Sequence, residues 1–220
     1  MSTEGKILAG IGIVTVIIVV AAAFLVGGKS TPEKDTKLTA EQQKVLVRDD
    51  SHIKGSKDAQ VTLVEFGDFQ CPACGASHPI VEQLIREYDG KVKFVFRQFP
   101  LPMHKNAKDA AYAAEAAGEQ GKFFEMYDLL FRNQKDWGES NKAKDYFKEY
   151  ASNLKLDMEK FEKALNDKKF EKVVNRDVAD GNALGVSSTP TFFINGVQQA
   201  GGLPYNEFKD KIEKALKEAK

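Results

Sequence analysis

The spacing of apolar and polar positions changes several times along this chain, and each change marks an element. Residues Ile7 to Val26 are apolar with Thr15 as the only polar member. That is the length a bilayer-spanning helix requires, and the run lacks the polar face of a helix buried in a soluble core. The composition then turns polar from Gly27 to about Gln60, opening with Gly27-Gly28-Lys29-Ser30-Thr31-Pro32-Glu33-Lys34-Asp35, which reads as a flexible tether. Thr39-Ala40-Glu41-Gln42 matches a capping box ahead of Val45-Leu46-Val47 and predicts a short helix. Asp49 to Ala59, with Gly55 and Ser56, reads as turns.

Val61 to Phe66 is β-branched and apolar, the mark of a buried strand. Pro72 can open a helix without losing a bond, and Ile80, Leu84, Ile85 and Tyr88 keep helical spacing until Asp89-Gly90. Val92 to Phe96 predicts a second strand, closed by Pro100 and Pro102. From Lys105 to about Gly181 the chain is helical in composition. Ala107 to Ala117 is alanine-rich, Phe123 to Phe131 supplies one apolar face, and Met158, Phe161 and Leu165 supply another. These aromatic stripes read as helix core rather than a cofactor box; Trp137, beside Gly138, reads equally as core or as a groove residue. Strands return at Pro190 to Gln199, where Asn195-Gly196 is the preferred two-residue hairpin turn, and Phe208, Ile212 and Leu216 then recur every four residues in a last helix.

A chain of 220 residues accommodates one well-packed domain with an insertion. Lys plus Arg (32) balances Asp plus Glu (32), which argues against nucleic acid as the partner. There are two cysteines, Cys71 and Cys74, so no disulfide framework exists. They stand in Phe69-Gln70-Cys71-Pro72-Ala73-Cys74, where a strand runs into a helix, the layout of a thioredoxin-like redox pair. Unsatisfied N–H groups at the helix start favour a thiolate on Cys71, while Cys74, one turn inside, is shielded. Two βα halves around inserted helices complete an α/β, thioredoxin-like reading. Structural zinc does not fit three scattered histidines (His52, His78, His104), and haem attachment does not fit Gly75 after the pair. Cys74 and His78, four apart, leave metal handling open. Two inert buried thiols are the remaining reading, although that is an unusual use of a strand-to-helix junction with Pro72 between the pair. Asp68 reads as a turn or capping residue, His78 as solvent-facing on its helix, and His104 as a loop residue.

Three segments together resemble the DsbA-like thiol-disulfide oxidoreductases, in particular their membrane-tethered, BdbD-like branch: Val61 to Cys74 (VTLVEFGDFQCPAC), Phe96 to Leu101 (FRQFPL) and Gly185 to Phe193 (GVSSTPTFF). The resemblance implies a thioredoxin-like fold over residues 55–220 carrying a helical insertion at about 105–181. It makes Cys71 the attacking sulfur, Cys74 the resolving sulfur, and Pro190 a cis-proline facing them after Thr189. It also implies no soluble cofactor, only the Cys71–Cys74 disulfide. Cis bonds are nearly confined to X-Pro, and the bend after Thr189 would free backbone groups to pair with an extended substrate. Glu65 matches the family's buried acid that moves the resolving thiol's proton; by itself it reads as a strand acid facing water or as that relay. Pro72 and Ala73 form the dipeptide. Ala73 stands where the familiar pattern has His, which predicts a milder oxidant.

The expected organisation is a flank (1–6), an anchor or signal peptide (7–26), a tether (27–54) and the catalytic domain. Ala21-Ala22-Ala23 offers a cleavage site, but the apolar run continues through Val26, which favours an uncleaved single-pass anchor. Lys29, Lys34, Lys37 and Lys44 after the span argue for a cytoplasmic domain. Redox chemistry argues for the extracytoplasmic side of the cell membrane, which is the expectation adopted. Reduced exported proteins are the expected substrates and a quinone-linked membrane protein the expected reoxidant. Two rivals stand beside this: a reductase or isomerase on the same fold, and a non-enzymatic metal-delivery or client-binding module.

Overall fold

A computed structural model describes residues 38–219; the expected flank and span at 1–26 and the first part of the tether lie outside them. Among the described residues no helix is long and apolar enough to cross a membrane. The elements run α1 (Ala40–Leu46), β1 (His52–Lys54), β2 (Val61–Gly67), α2 (Pro72–Glu87), β3 (Val92–Gln98), α3 (Ala107–Gly118), α4 (Phe123–Arg132), α5 (Gln134–Trp137), α6 (Ala143–Asn153), α7 (Met158–Asn166), α8 (Glu171–Ala183), β4 (Thr191–Ile194), β5 (Val197–Ala200) and α9 (Tyr205–Glu218). The strands form one sheet in the order β1-β3-β2-β4-β5. β2 and β3 are parallel, joined through α2, and the other three pairings are antiparallel. This is the thioredoxin-like α/β fold, with α3 to α8 inserted between β3 and β4.

Period-two alternation divides the sheet into two faces. Val61 and Leu63 of β2 share one core with Phe94, Phe96, Phe192, α2, α9 and the inserted helices. Val64 and Phe66 share another with Val95, Phe193, Leu46, Leu184 and Val186. Local signals hold where they were expected. Thr39 and Gln42 form a reciprocal capping box on α1, and Asn195-Gly196 turns β4 into β5 with positive φ at both residues, as a two-residue turn of the primed type requires. Trp137 is core: it is fully buried, its Nε1–H donates to the Leu130 carbonyl at 2.9 Å, and its ring meets Phe147 edge-on.

The expected tether needs correction over its second half. His52–Lys54, read as turn, is an edge strand paired with Phe94–Phe96, and Leu46 of α1 is buried in the second core. Arg97 ties this segment down. Its guanidinium is 1% exposed and donates to the Val45 and Leu46 carbonyls at 2.8 Å each, to Asp177 at 2.9 Å, and to Asp180. Arg48 also donates to Asp180. Folded structure therefore begins well before residue 55, because a three-residue strand is too short to show alternation and its hydrogen-bond partners lie about forty residues away.

Candidate active site

The turn after β2 is built around Asp68, a fully buried side chain. Its carboxylate accepts from the backbone N–H of Gln70 (2.7 Å) and Leu101 (2.8 Å) and pairs with His104 Nδ1 (2.7 Å), so it serves as the turn residue its sequence position implied. Cys71 is the N-cap of α2 and Pro72 its first residue. The Thr189–Pro190 peptide is cis, and the Thr189 carbonyl oxygen lies 3.3 Å from Cys71 Sγ. Cys74 is fully buried, with the Asp68 N–H directed at its sulfur from 3.5 Å.

The two sulfurs are free and electrostatically unlike. Cys71 is brought down to about 5 by the Cys74 thiol first, then by the Thr189 hydroxyl, which stands just short of a hydrogen bond, and by the Cys74 and Ala73 backbone, against the opposing effect of burial. As a thiol it can donate to the Thr189 carbonyl, but the several donors that converge on it outweigh that single acceptor and favour the anion. Burial pushes Cys74 well above the ordinary thiol value, and the neighbouring Cys71 and Glu65 charges push it further. The two sulfurs are thus distinguished by position: Cys71 caps the helix, and Cys74 is buried within its first turn.

Glu65 does not face water. It is 1% exposed on the β2 face that carries the cysteines, and neither carboxyl oxygen has a hydrogen-bond partner. Burial first, then the Cys71 charge, raises it to about 8, while the Tyr127 hydroxyl pulls the other way from a geometry just short of a hydrogen bond. Leaving such a group unsatisfied costs on the order of 1–3 kcal/mol, so this is a place where stability is given up. Gly67 makes room beside it, since a Cβ there would lie 2.4 Å from the Phe96 ring and 3.0 Å from Glu65 Oε1.

Several contributors carried no sequence signal. Gln134, in the one-turn helix α5, donates to the Phe69 and Cys71 carbonyls at 2.7 and 2.9 Å. Its amide lies 2.6 Å from where a Cβ on Gly75 would stand, so a side chain there would push the amide off these two carbonyls. Gln70 reaches the Gly138 carbonyl (2.7 Å) and accepts from the Asn106 N–H (2.7 Å). Together they stitch the Cys71 loop to the inserted helices. Isolated glutamines at element breaks look like ordinary surface residues in a sequence.

His78 corrects the sequence reading: it is 5% exposed, not solvent-facing. Its Nε2 meets Asp128 at 3.0 Å, and its ring packs on Tyr127 and Phe131. It thus looks toward α4, while Cys74 lies against the Asp68 turn. His78, Glu82 and Asp128 could together offer three ligand atoms to a metal. However, the Lys54 ammonium already stands 2.7 Å from Glu82, which supplies the positive charge that the acids require.

Comparison with known proteins agrees with this geometry. A family model described as Thioredoxin matches residues 48–214. BdbD from Bacillus subtilis, in its oxidised form, superposes with a TM-score of 0.69 at 26% identity, covering 82% of this chain and 96% of that one. Wolbachia pipientis alpha-DsbA1, as a variant with two cysteines replaced by alanine, gives 0.72 at 25% identity, covering 82% and 98%. A thioredoxin-like oxidoreductase from Silicibacter pomeroyi gives 0.68 at 25%, covering 82% and 99%. Among curated sequences, a Salinispora tropica protein named Na(+)/H(+) antiporter NhaA 3 is 41% identical over 159 residues, 72% of this chain and 23% of its own. The chain spans about a quarter of the length of such relatives, and their name belongs to those longer proteins. With the family model covering most of the chain and the paired cysteines set as described, the chain belongs to the thioredoxin family and is similar in fold to the DsbA and BdbD proteins.

Proposed function

We propose that this protein works as an oxidant, introducing disulfides into reduced exported proteins. The observation that carries this is the unequal acidity of the two sulfurs: a Cys71 thiolate held near pKa 5 beside a Cys74 thiol raised far above its ordinary value. An exchange protein whose reduced form is stabilised gives up its own disulfide readily, and a low-pKa sulfur is the better leaving group. With no side-chain donor at Ala73, in this reading the Cys74 thiol and the Ala73 and Cys74 backbone supply most of the stabilisation, and the oxidant is milder than one with His there.

In this reading a substrate thiolate attacks Cys71 Sγ of the Cys71–Cys74 disulfide. Cys74 leaves with the electron pair and takes a proton from the Glu65 carboxylic acid. A second substrate thiolate attacks the substrate sulfur of the mixed disulfide, and Cys71 departs as its stabilised thiolate. Two electrons pass to the protein and one disulfide to the substrate. On reoxidation Cys71 enters a mixed disulfide with its oxidant and loses its charge. Glu65 is then relieved of that repulsion, ionises more readily, and accepts the Cys74 proton. The cis-Pro190 loop beside Cys71 would hold the extended substrate by main-chain pairing. The apolar run at 7–26 would anchor the domain on the extracytoplasmic face of the membrane, beside a quinone-linked oxidant.

Equilibration of the purified protein against glutathione tests the direction. A potential well above thioredoxin's value of about −270 mV is expected, and a value near it would turn the assignment to a reductase. In cells, Cys74→Ser should trap mixed disulfides through Cys71 that vanish in a Cys71→Ser background.

A further inference from the structure

Among the described residues six buried side-chain polar atoms lack a hydrogen-bond partner, and three of them belong to Glu65 and Tyr127. Both residues occupy one apolar chamber. Glu65 pairs in register with Phe96, and a Cβ built on Gly67 would touch both the Phe96 ring and Glu65 Oε1. The Phe96 ring in turn meets the Tyr127 ring edge-on at 5.1 Å. Phe69, Phe94, Phe124 and Phe131 surround the same tyrosine. Packing alone calls for phenylalanine at 127, because a buried hydroxyl without a partner is unfavourable in such surroundings. A buried donor and a buried acceptor set among the same aromatic rings, neither with another partner, are complementary, and the charge on the acid decides when they engage.

We propose that Tyr127 is a positioning residue for the resolving step: its hydroxyl donates to the Glu65 carboxylate and holds it toward Cys74 while the proton is transferred. This rests on the exchange reading above and adds a residue to it. In the step concerned, a mixed disulfide joins Cys71 to a partner sulfur. The Cys74 thiol gives its proton to Glu65, the Cys74 thiolate attacks Cys71 Sγ, the Cys71–Cys74 bond forms, and the bond to the partner breaks with its electron pair leaving on the partner's sulfur. Tyr127 keeps its own proton throughout, since burial and the nearby acids hold the phenol well above its ordinary value. The titratable groups facing this chamber are Cys71, Cys74, His78 and Glu82 from the α2 side and Asp128 from α4.

The test follows the release of glutathione from the Cys71 adduct between pH 5.5 and 9 in the whole protein and in Tyr127→Phe and Glu65→Gln. Wild-type release should rise with pH along one ionisation that Glu65→Gln abolishes. Tyr127→Phe should move its midpoint upward by about one unit and slow release at pH 7 about tenfold, while the Cys71 thiolate titration stays in place. A Tyr127→Phe profile with the wild-type midpoint, whatever its stability, refutes the inference. A wild type that never passes from the adduct to the internal disulfide refutes the exchange reading as well.

Discussion

Glu65 of β2 and Arg97 of β3 stand one register position apart, both buried, on opposite faces of one sheet, and the protein treats them in opposite ways. Arg97 has its two terminal nitrogens bound to two carboxylates and two carbonyls, with only Nε left over. Glu65 has neither oxygen bound. A buried charge surrounded by partners locks elements together, here β3, the end of α1, and α8. A buried acid without partners stays close to neutral and ready to exchange its proton. The contrast separates structure from chemistry more clearly than burial does, since both residues are about 1% exposed.

The most damaging way to break this comparison is Arg97→Ala, which takes the buried guanidinium from Asp177, leaves Asp180 to Arg48 alone, and should cost about 3–5 kcal/mol in urea unfolding. A loss below about 1 kcal/mol would mean that the network is not a unit. Glu65→Gln should do the reverse. Its stability should stay within about 1 kcal/mol of wild type or rise, while the resolving step slows about a hundredfold, the lower end of what a positioned proton carrier supplies. Rapid-mixing kinetics beside a denaturation curve would show whether the two quantities separate.

pH sharpens the contrast within the site. The folded value of Cys71, about 5, lies below its ordinary 9, so its contribution is fully present above pH 9 and lost as pH falls through 5. Glu65, folded at about 8 against an ordinary 4.5, contributes in the opposite sense: between those values the unfolded chain has lost a proton that the fold retains, and stability declines as pH rises. In the reduced protein the two slopes offset each other between about pH 5 and 8. Reduced Cys71→Ser should therefore lose stability on going from pH 5 to 8 and Glu65→Gln should gain it, each by at most about 1.36 kcal/mol per pH unit. Parallel urea midpoints for the two variants would contradict this. The smallest effect expected is from Gln134→Ala, which removes two side-chain bonds to the Cys71 loop. About 1 kcal/mol of stability and a shift of under about 30 mV in potential should follow; a larger potential shift would make Gln134 part of the redox centre.

What could be read in the chain beforehand is what a few adjacent residues settle among themselves. Cys71-Pro72-Ala73-Cys74 behind an apolar strand, the Thr39 capping box, the Asn195-Gly196 turn and Pro190 each carry their geometry locally, and the period of apolar positions orders strands and helices around them. That sufficed for the fold, for the insertion and for the two sulfurs. Tertiary structure decided the rest: that His52–Lys54 is a strand, that His78 is buried against Asp128, that Glu65 shares its chamber with Tyr127, and that Gln134 holds the Cys71 carbonyl. Glu65 and Tyr127 are brought together from different elements, and Arg97 meets Asp177 across 80 positions. No short window contains both members of such a pair. Whether a buried polar group finds a partner or is left without one depends on which distant elements close over it, so its charge state is a property of the fold and not of any segment.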